Sequence, residues 1–215
     1  MNAIIFDLDG TLADTLDDIT DALNAVLVRM DLPPHARTAT VEWVGWGVRH
    51  LVEHALPPAA RDRLDQAVTA FRAEYTANLI RTTAPYPGVQ ELLDGLTDDG
   101  IPLAVLSNKP HDMTRRIMAE VFGRWSFAPV LGKREGVPGK PDPTSAHEIA
   151  AHFGLKGGQI AFVGDTQVDL QTATAAGMIP IGVGWGFRPA AALARAAAHV
   201  AETPAELLAW IRDQR

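Results

Sequence analysis

Ala3-Ile4-Ile5-Phe6-Asp7-Leu8-Asp9-Gly10-Thr11 decides how the rest of the chain is read. Four apolar residues followed by Asp-Leu-Asp-Gly describe a short strand, read as Ala3–Asp7 and covered on both faces, whose carboxyl end leaves the core as a loop. With the period of two that strands impose, Asp7 and Asp9 would point the same way if the strand continued. Two carboxylates would then crowd one spot at the end of a parallel strand, where α/β sheets take their ligands. Crowded like charges either share a proton or gather around a divalent metal, and the pair leaves both readings open.

Working outward, further short apolar runs read as strands at Leu103–Ser107, Ile160–Gly164 and Ile179–Val183, with a weaker one at Pro129–Leu131. Helical patterns separate them, which is the rhythm of an α/β fold with a doubly wound parallel sheet. About ninety residues without a good strand candidate lie between the first two strong strands, far more than one crossover needs. Within them Leu16, Ile19, Leu23, Val26, Leu27 and Met30 keep helical spacing, and Pro33-Pro34 ends that helix. Short helices are expected at Val41–Val44 and Val48–Leu56 around Gly45-Trp46-Gly47, and a longer one near Ala59–Leu79 after Pro57-Pro58. The expected organisation is an α/β core of residues 1–13 and 85–215 carrying a helical insertion of residues 14–84, with hinges near Asp14 and Ala84.

Composition narrows the functional classes. The 215 residues contain no cysteine, which removes disulfides, thiolate metal sites and cysteine nucleophiles and points to a cytoplasmic protein. Lys and Arg number 19 against 26 Asp and Glu, a net charge of −7, so no nucleic acid partner is expected. No apolar run approaches the ~18 residues of a membrane span, and the amino terminus lacks the basic start of a signal peptide, so neither membrane attachment nor export is expected. The seven histidines form no zinc-like cluster. His50 and His54 share a helix face without a third ligand and read as helix surface.

Asp7-Leu8-Asp9-Gly10-Thr11 after an amino-terminal strand resembles the signature of the haloacid-dehalogenase-like superfamily, and three more motifs follow in order. Ser107 in Leu106-Ser107-Asn108-Lys109-Pro110 matches the second, Lys140 in Gly139-Lys140-Pro141 the third, and Gly164-Asp165-Thr166-Gln167-Val168-Asp169 the fourth. The resemblance implies a Rossmann-like core with strand order 3-2-1-4-5, an alpha-helical cap made by the insertion, and phosphoryl transfer assisted by Mg²⁺. It assigns Asp7 as nucleophile forming an aspartyl phosphate and Asp9 as general acid and base. Lys140 is to offset the Asp7 charge, Ser107 to bind a phosphoryl oxygen, and Thr11 and Asn108 to join the substrate contacts. Metal would be held by the Asp7 carboxylate, the Asp9 backbone carbonyl and Asp165, with Asp169 in or beside the shell.

Details of the motifs point to a branch. Asp9 argues against dehalogenation, because a halide leaving group needs no proton. The absence of lysine from residues 14–84 argues against a cap-lysine phosphonate hydrolase. The stretches Trp43–Arg49, Gly182–Gly186 and Thr203–Leu208 resemble the phosphoglycolate phosphatase-like branch. A Mg²⁺-dependent phosphatase acting on a small phosphorylated metabolite, 2-phosphoglycolate first, is therefore expected, as a monomer or homodimer. Gly47 and Arg49 are the expected specificity residues of the cap. A hexose-phosphate mutase of the same superfamily is the alternative; a phosphoacceptor signalling module is a distant one, since receivers are about half this length and have no helical insertion.

Overall fold

In a computed structural model describing residues 1–214, β1 (Ala3–Phe6) is buried at every position because it has a parallel strand on each side. Ile4 and Ile5 pair with Leu103 and Ala104 on one flank and with Ala161 and Phe162 on the other. After β1 come β2 (Ala13–Asp14), α1 (Leu16–Arg29), α2 (Arg37–Trp43), α3 (Val48–Ala55), a 3-10 turn at Pro58–Arg63, and α4 (Leu64–Ala77). The chain continues through β3 (Ala84–Pro85), α5 (Val89–Asp98), β4 (Leu103–Pro110), α6 (His111–Val121), β5 (Phe127–Lys133) and α7 (Thr144–Phe153). It finishes with β6 (Ile160–Gly164), α8 (Gln167–Ala175), β7 (Ile179–Val183), α9 (Ala190–Leu193), β8 (His199–Ala201) and α10 (Pro204–Asp213).

The main sheet has the order β5-β4-β1-β6-β7-β8, all parallel. Its first five members reproduce the expected 3-2-1-4-5 winding. The sixth, β8, was not expected: three residues, His199 to Ala201, give too short a run to read. The chain winds outward from β1 through β4 to β5, then returns to β6 and winds the other way. The carboxyl ends of β1 and β6 therefore border the switch point, the crevice where such sheets bind ligands. Ala3, Ile5, Ala104, Leu106 and Phe162 pack against Ile149 and Ala150 of α7 and Ala173 of α8, covering one face.

Several boundaries differ from the expectation. β4 runs on past Ser107 to Pro110, so Ser107 and Lys109 are strand residues. β5 extends to seven residues on both sides of Pro129, and α2 starts at Arg37 rather than Val41. The stretch expected as one helix from Ala59 splits into the 3-10 turn, with Pro58 at its first position, and α4.

The chain divides into two compact units, Met1–Asp14 with the residues from Pro85 onward, and Thr15–Ala84. Within the second, α1 buries Leu16, Ile19, Leu23, Val26 and Leu27, the helical stripe its spacing predicts, and α4 buries Ala67, Phe71 and Tyr75. The ends of this unit are fastened by one carboxylate. Asp18, 2% exposed, accepts the backbone N–H groups of Arg81, Thr82 and Thr83 at 2.9–3.1 Å and the hydroxyls of Thr82 and Thr83 at 2.7 Å. Burial alone would raise its pKa, but the Thr83 and Thr82 hydrogen bonds together hold it below the usual carboxylate range.

Asp18→Ala leaves those donors without their acceptor and is expected to destabilise the protein by about 2–4 kcal/mol, read from urea midpoints. A depressed folded pKa gives a contribution that is complete above the unfolded value of about 4 and is lost as pH falls through the folded one. The gap between wild type and variant should therefore close below about pH 4. An equal gap at pH 6 and pH 3 would show that the ionised carboxylate is not what holds the segment.

Candidate active site

The Asp7 backbone still belongs to the sheet, its N–H donating to Val163 O at 2.9 Å, but the chain turns immediately afterwards. The N–H groups of Leu12 and Ala13 both return to Leu8 O at 3.0 Å, and Gly10 takes a φ of +83° that favours glycine. The strand therefore does not continue to Asp9, so the period of two does not set the direction of its carboxylate. Asp7 and Asp9 each have their own lysine: Lys140 Nζ lies 2.8 Å from Asp7 Oδ1, and Lys109 Nζ lies 2.7 Å from Asp9 Oδ1.

Asp7 Oδ1 also accepts the N–H of Leu8 at 2.7 Å. Both hydrogen bonds fall on that one oxygen, so Oδ2 stands outside them. Burial pushes the Asp7 carboxyl up to about 7; the Lys140 ammonium opposes the rise, while Asp169 and Asp9 add to it.

Asp165 follows β6 directly and Asp169 is the third residue of α8, and both are fully buried. Asp169 closes a capping box at the start of α8, its Oδ2 accepting the Thr166 N–H at 3.0 Å and hydroxyl at 2.6 Å, while its Oδ1 takes Lys140 Nζ at 2.6 Å. Asp165 accepts only neutral donors here, the Thr11 hydroxyl at 3.2 Å and the Phe187 N–H at 2.9 Å. Its pKa stands well above the usual carboxylate range, first through burial and then through the charges of Asp169 and Asp7. Burial works against the Lys140 ammonium too, but Asp169 and Asp7 outweigh it and hold its pKa above that of an ordinary lysine.

One oxygen each of Asp7, Asp165 and Asp169 lie within 4.8 Å of one another. Three buried carboxylates against the single Lys140 ammonium are short of positive charge, and a hard divalent cation on oxygen donors supplies it. The residues fit such an ion on that ground, with Asp165, which has no cationic partner among the described residues, as its clearest ligand.

Ser107, 3% exposed, ends the apolar part of β4. Asn108, expected to touch substrate, donates from Nδ2 to Lys140 O at 2.9 Å and so holds the loop that carries Lys140. Thr11, also expected at the substrate, has no exposed surface, and its hydroxyl is committed to Asp165.

The chain as a whole is similar to known proteins. The profile of the haloacid dehalogenase-like hydrolases matches residues 1–177. The chain belongs to that family. A phosphoglycolate phosphatase from Haemophilus influenzae is 31% identical over 190 residues, 85% of each chain. Another from Rhodospirillum rubrum is 33% identical over 193 residues, 86% of this chain and 80% of its own. The crystal structure of a predicted phosphoglycolate phosphatase from Haemophilus somnus 129pt superposes with a TM-score of 0.90 at 29% identity, covering 98% of both chains.

Two features of this haloacid dehalogenase-like hydrolase were not read from its sequence. Lys109 was quoted only as part of a motif, yet it is 6% exposed and grips Asp9. The loop after β7 braces the β1 loop: Trp185 Nε1 donates to Thr11 O at 2.9 Å and Phe187 N–H to Asp165. A Cβ on Gly186 would run into Gly10 O and the Asp165 side chain, so glycine there is a condition of the close approach. Gly47 and Arg49 belong to the helical unit. Gly47, with φ +95°, precedes α3, and Arg49 pairs at 2.6 Å with Asp65, both side chains exposed. Among the described residues, no helix is long and apolar enough to cross a membrane.

Proposed function

We propose that this phosphatase of the haloacid dehalogenase-like family hydrolyses a small organic phosphate monoester, 2-phosphoglycolate first, through an aspartyl phosphate on Asp7 with Mg²⁺ held by Asp7, the Asp9 carbonyl, Asp165 and Asp169. The observation that carries the reading is the asymmetry of Asp7. One of its oxygens is held by the Leu8 N–H and Lys140, and the other stands outside those bonds at the switch point. Bound Mg²⁺ supplies charge neutralisation for the phosphoryl group.

Asp7 Oδ2 attacks phosphorus as the bond to the leaving oxygen breaks, and Asp9 gives that oxygen its proton. Asp9, now a carboxylate, then takes a proton from the water that cleaves the aspartyl phosphate, which releases inorganic phosphate and restores both carboxyl groups. Ser107 donates to a phosphoryl oxygen, and Lys140 lowers the repulsion between Asp7 and a dianionic phosphate.

The test is phosphate release from 2-phosphoglycolate by the purified protein, with Mg²⁺ and with excess chelator. Release that depends on Mg²⁺ and leaves a labelled Asp7 under rapid quench is the expected result. Absence of release from 2-phosphoglycolate and from a panel of other monoesters would overturn the reading. Conversion of glucose 1-phosphate to its isomer without phosphate release would replace it with a mutase.

Selectivity for the leaving group is assigned to Gly47 and Arg49, the arginine exchanging Asp65 for a substrate anion. Arg49→Ala should then lower kcat/KM for 2-phosphoglycolate on the order of ten- to hundredfold while p-nitrophenyl phosphate is much less affected. Equal losses on both would leave Arg49 as a residue of helical-unit stability.

A further inference from the structure

We propose that Lys109 is the positioning residue of the Asp9 carboxyl group, fixing the orientation from which Asp9 delivers its proton to the leaving oxygen. The inference rests on the phosphatase reading and deepens it. Lys109 and Ser107 are two residues apart in β4, where the register against β5 shifts, and the Lys109 N–H donates to Ser107 Oγ at 3.3 Å. The Lys109 backbone is itself anchored. The Thr114 hydroxyl is shared between Pro110 O at 3.0 Å and Lys109 O at 3.2 Å, and β5 passes so close that a Cβ on Gly132 would lie 2.7 Å from the Lys109 carbonyl and 2.6 Å from His111 Cα. The ammonium thus reaches Asp9 from a rigid strand, whereas Asp9 sits in a loop that has already left the sheet.

The burial of the pair argues for a role beyond holding that loop. The Lys109 side chain is 3% exposed and that of Asp9 12%. Withdrawing both charges from water costs more than an apolar contact of the same size would, so loop attachment alone gives no reason for a lysine. What the ion pair adds is direction: with Oδ1 on the ammonium, the carboxyl group has one preferred rotation. The proton that Asp9 gives to the leaving alkoxide in the first step, and recovers from water in the second, then resides on the other oxygen. Lys109 stays an ammonium throughout, gaining and losing nothing.

The experiment compares Lys109→Met and Lys109→Gln with wild type on phenyl phosphate and p-nitrophenyl phosphate, neither of which carries a second charge, using kcat/KM. That ratio reports only the steps through cleavage of the first P–O bond, where a poor leaving group needs the Asp9 proton and p-nitrophenolate does not. The expected result is a loss on the order of a hundredfold on phenyl phosphate against less than about tenfold on p-nitrophenyl phosphate. In an Asp9→Asn background the same Lys109 change should cost less than about threefold, because the group it positions is gone. Equal losses on both substrates, or an undiminished loss in the Asp9→Asn background, would overturn the proposal. Failure of both variants to fold, read by circular dichroism, would assign Lys109 to stability and overturn it too. Wild type inert toward every monoester would instead overturn the phosphatase reading, and this inference with it.

Discussion

Asp7→Asn protein is expected to fold and to release phosphate at less than about a thousandth of the wild-type rate under saturating Mg²⁺. The amide keeps the shape of the side chain but removes the anionic oxygen that stands outside the Lys140 and Leu8 bonds. Retention of more than a few per cent of the activity would remove Asp7 as nucleophile. A second consequence follows from its pKa. An acid raised to about 7 in the folded state binds its proton more tightly there than in the unfolded chain, so its effect on stability turns unfavourable as pH climbs from about 4 to 7. Asparagine does not titrate. In metal-free buffer the variant should therefore gain in Tm over wild type between about pH 5 and pH 8, and Mg²⁺ should narrow the difference. A constant difference across that range would mean that the crowding of Asp7 is relieved in another way.

Lys140→Met is expected to abolish turnover and, unlike Asp7→Asn, to weaken the fold. The ammonium lies 2.8 Å from Asp7 and 2.6 Å from Asp169, with all three side chains buried. Removing one partner of such a cluster leaves uncompensated charge in the interior, which costs about 3–5 kcal/mol. Urea midpoints without metal should show this loss, and saturating Mg²⁺ should recover part of it by supplying another positive charge to the same carboxylates. A metal-free midpoint equal to that of wild type would mean that the Lys140 charge does not hold the carboxylate cluster together.

Legibility in the sequence followed how local each determinant is. β1, β6 and β7 could be read because buried parallel strands are nearly continuous apolar runs, and the winding followed once their order was known. β8 could not, because His199-Val200-Ala201 has no pattern of its own and becomes a strand by pairing with β7. Asp7 and Asp165 stood out because carboxylates directly after apolar strands are costly unless something uses them, whereas Asp169, the third residue of α8, was picked out by the motif it ends. The period-two argument for Asp9 failed where the backbone turned at Leu8, a turn that depends on a glycine with positive φ. Lys109 was missed for a related reason: its burial and its partner, a hundred residues away, are products of the β1–β4 pairing and leave no local trace. Thr11 and Asn108 were read as substrate contacts; the bonds their side chains make to Asp165 and to the Lys140 carbonyl join distant segments and leave no local trace.

The grip of Asp18 on residues 81–83 also bears on how the chain finds its fold. Phe6 must meet Val105 across about a hundred residues, a separation that ordinarily slows the pairing of central strands. A helical unit formed first, with its ends tied together by Asp18, would replace some seventy of those residues with a single closed loop of chain. The loop left to close is then nearer thirty residues, and the closure entropy falls by about 1 kcal/mol. A segment inserted between β1 and β4 would in that case shorten the search for their pairing.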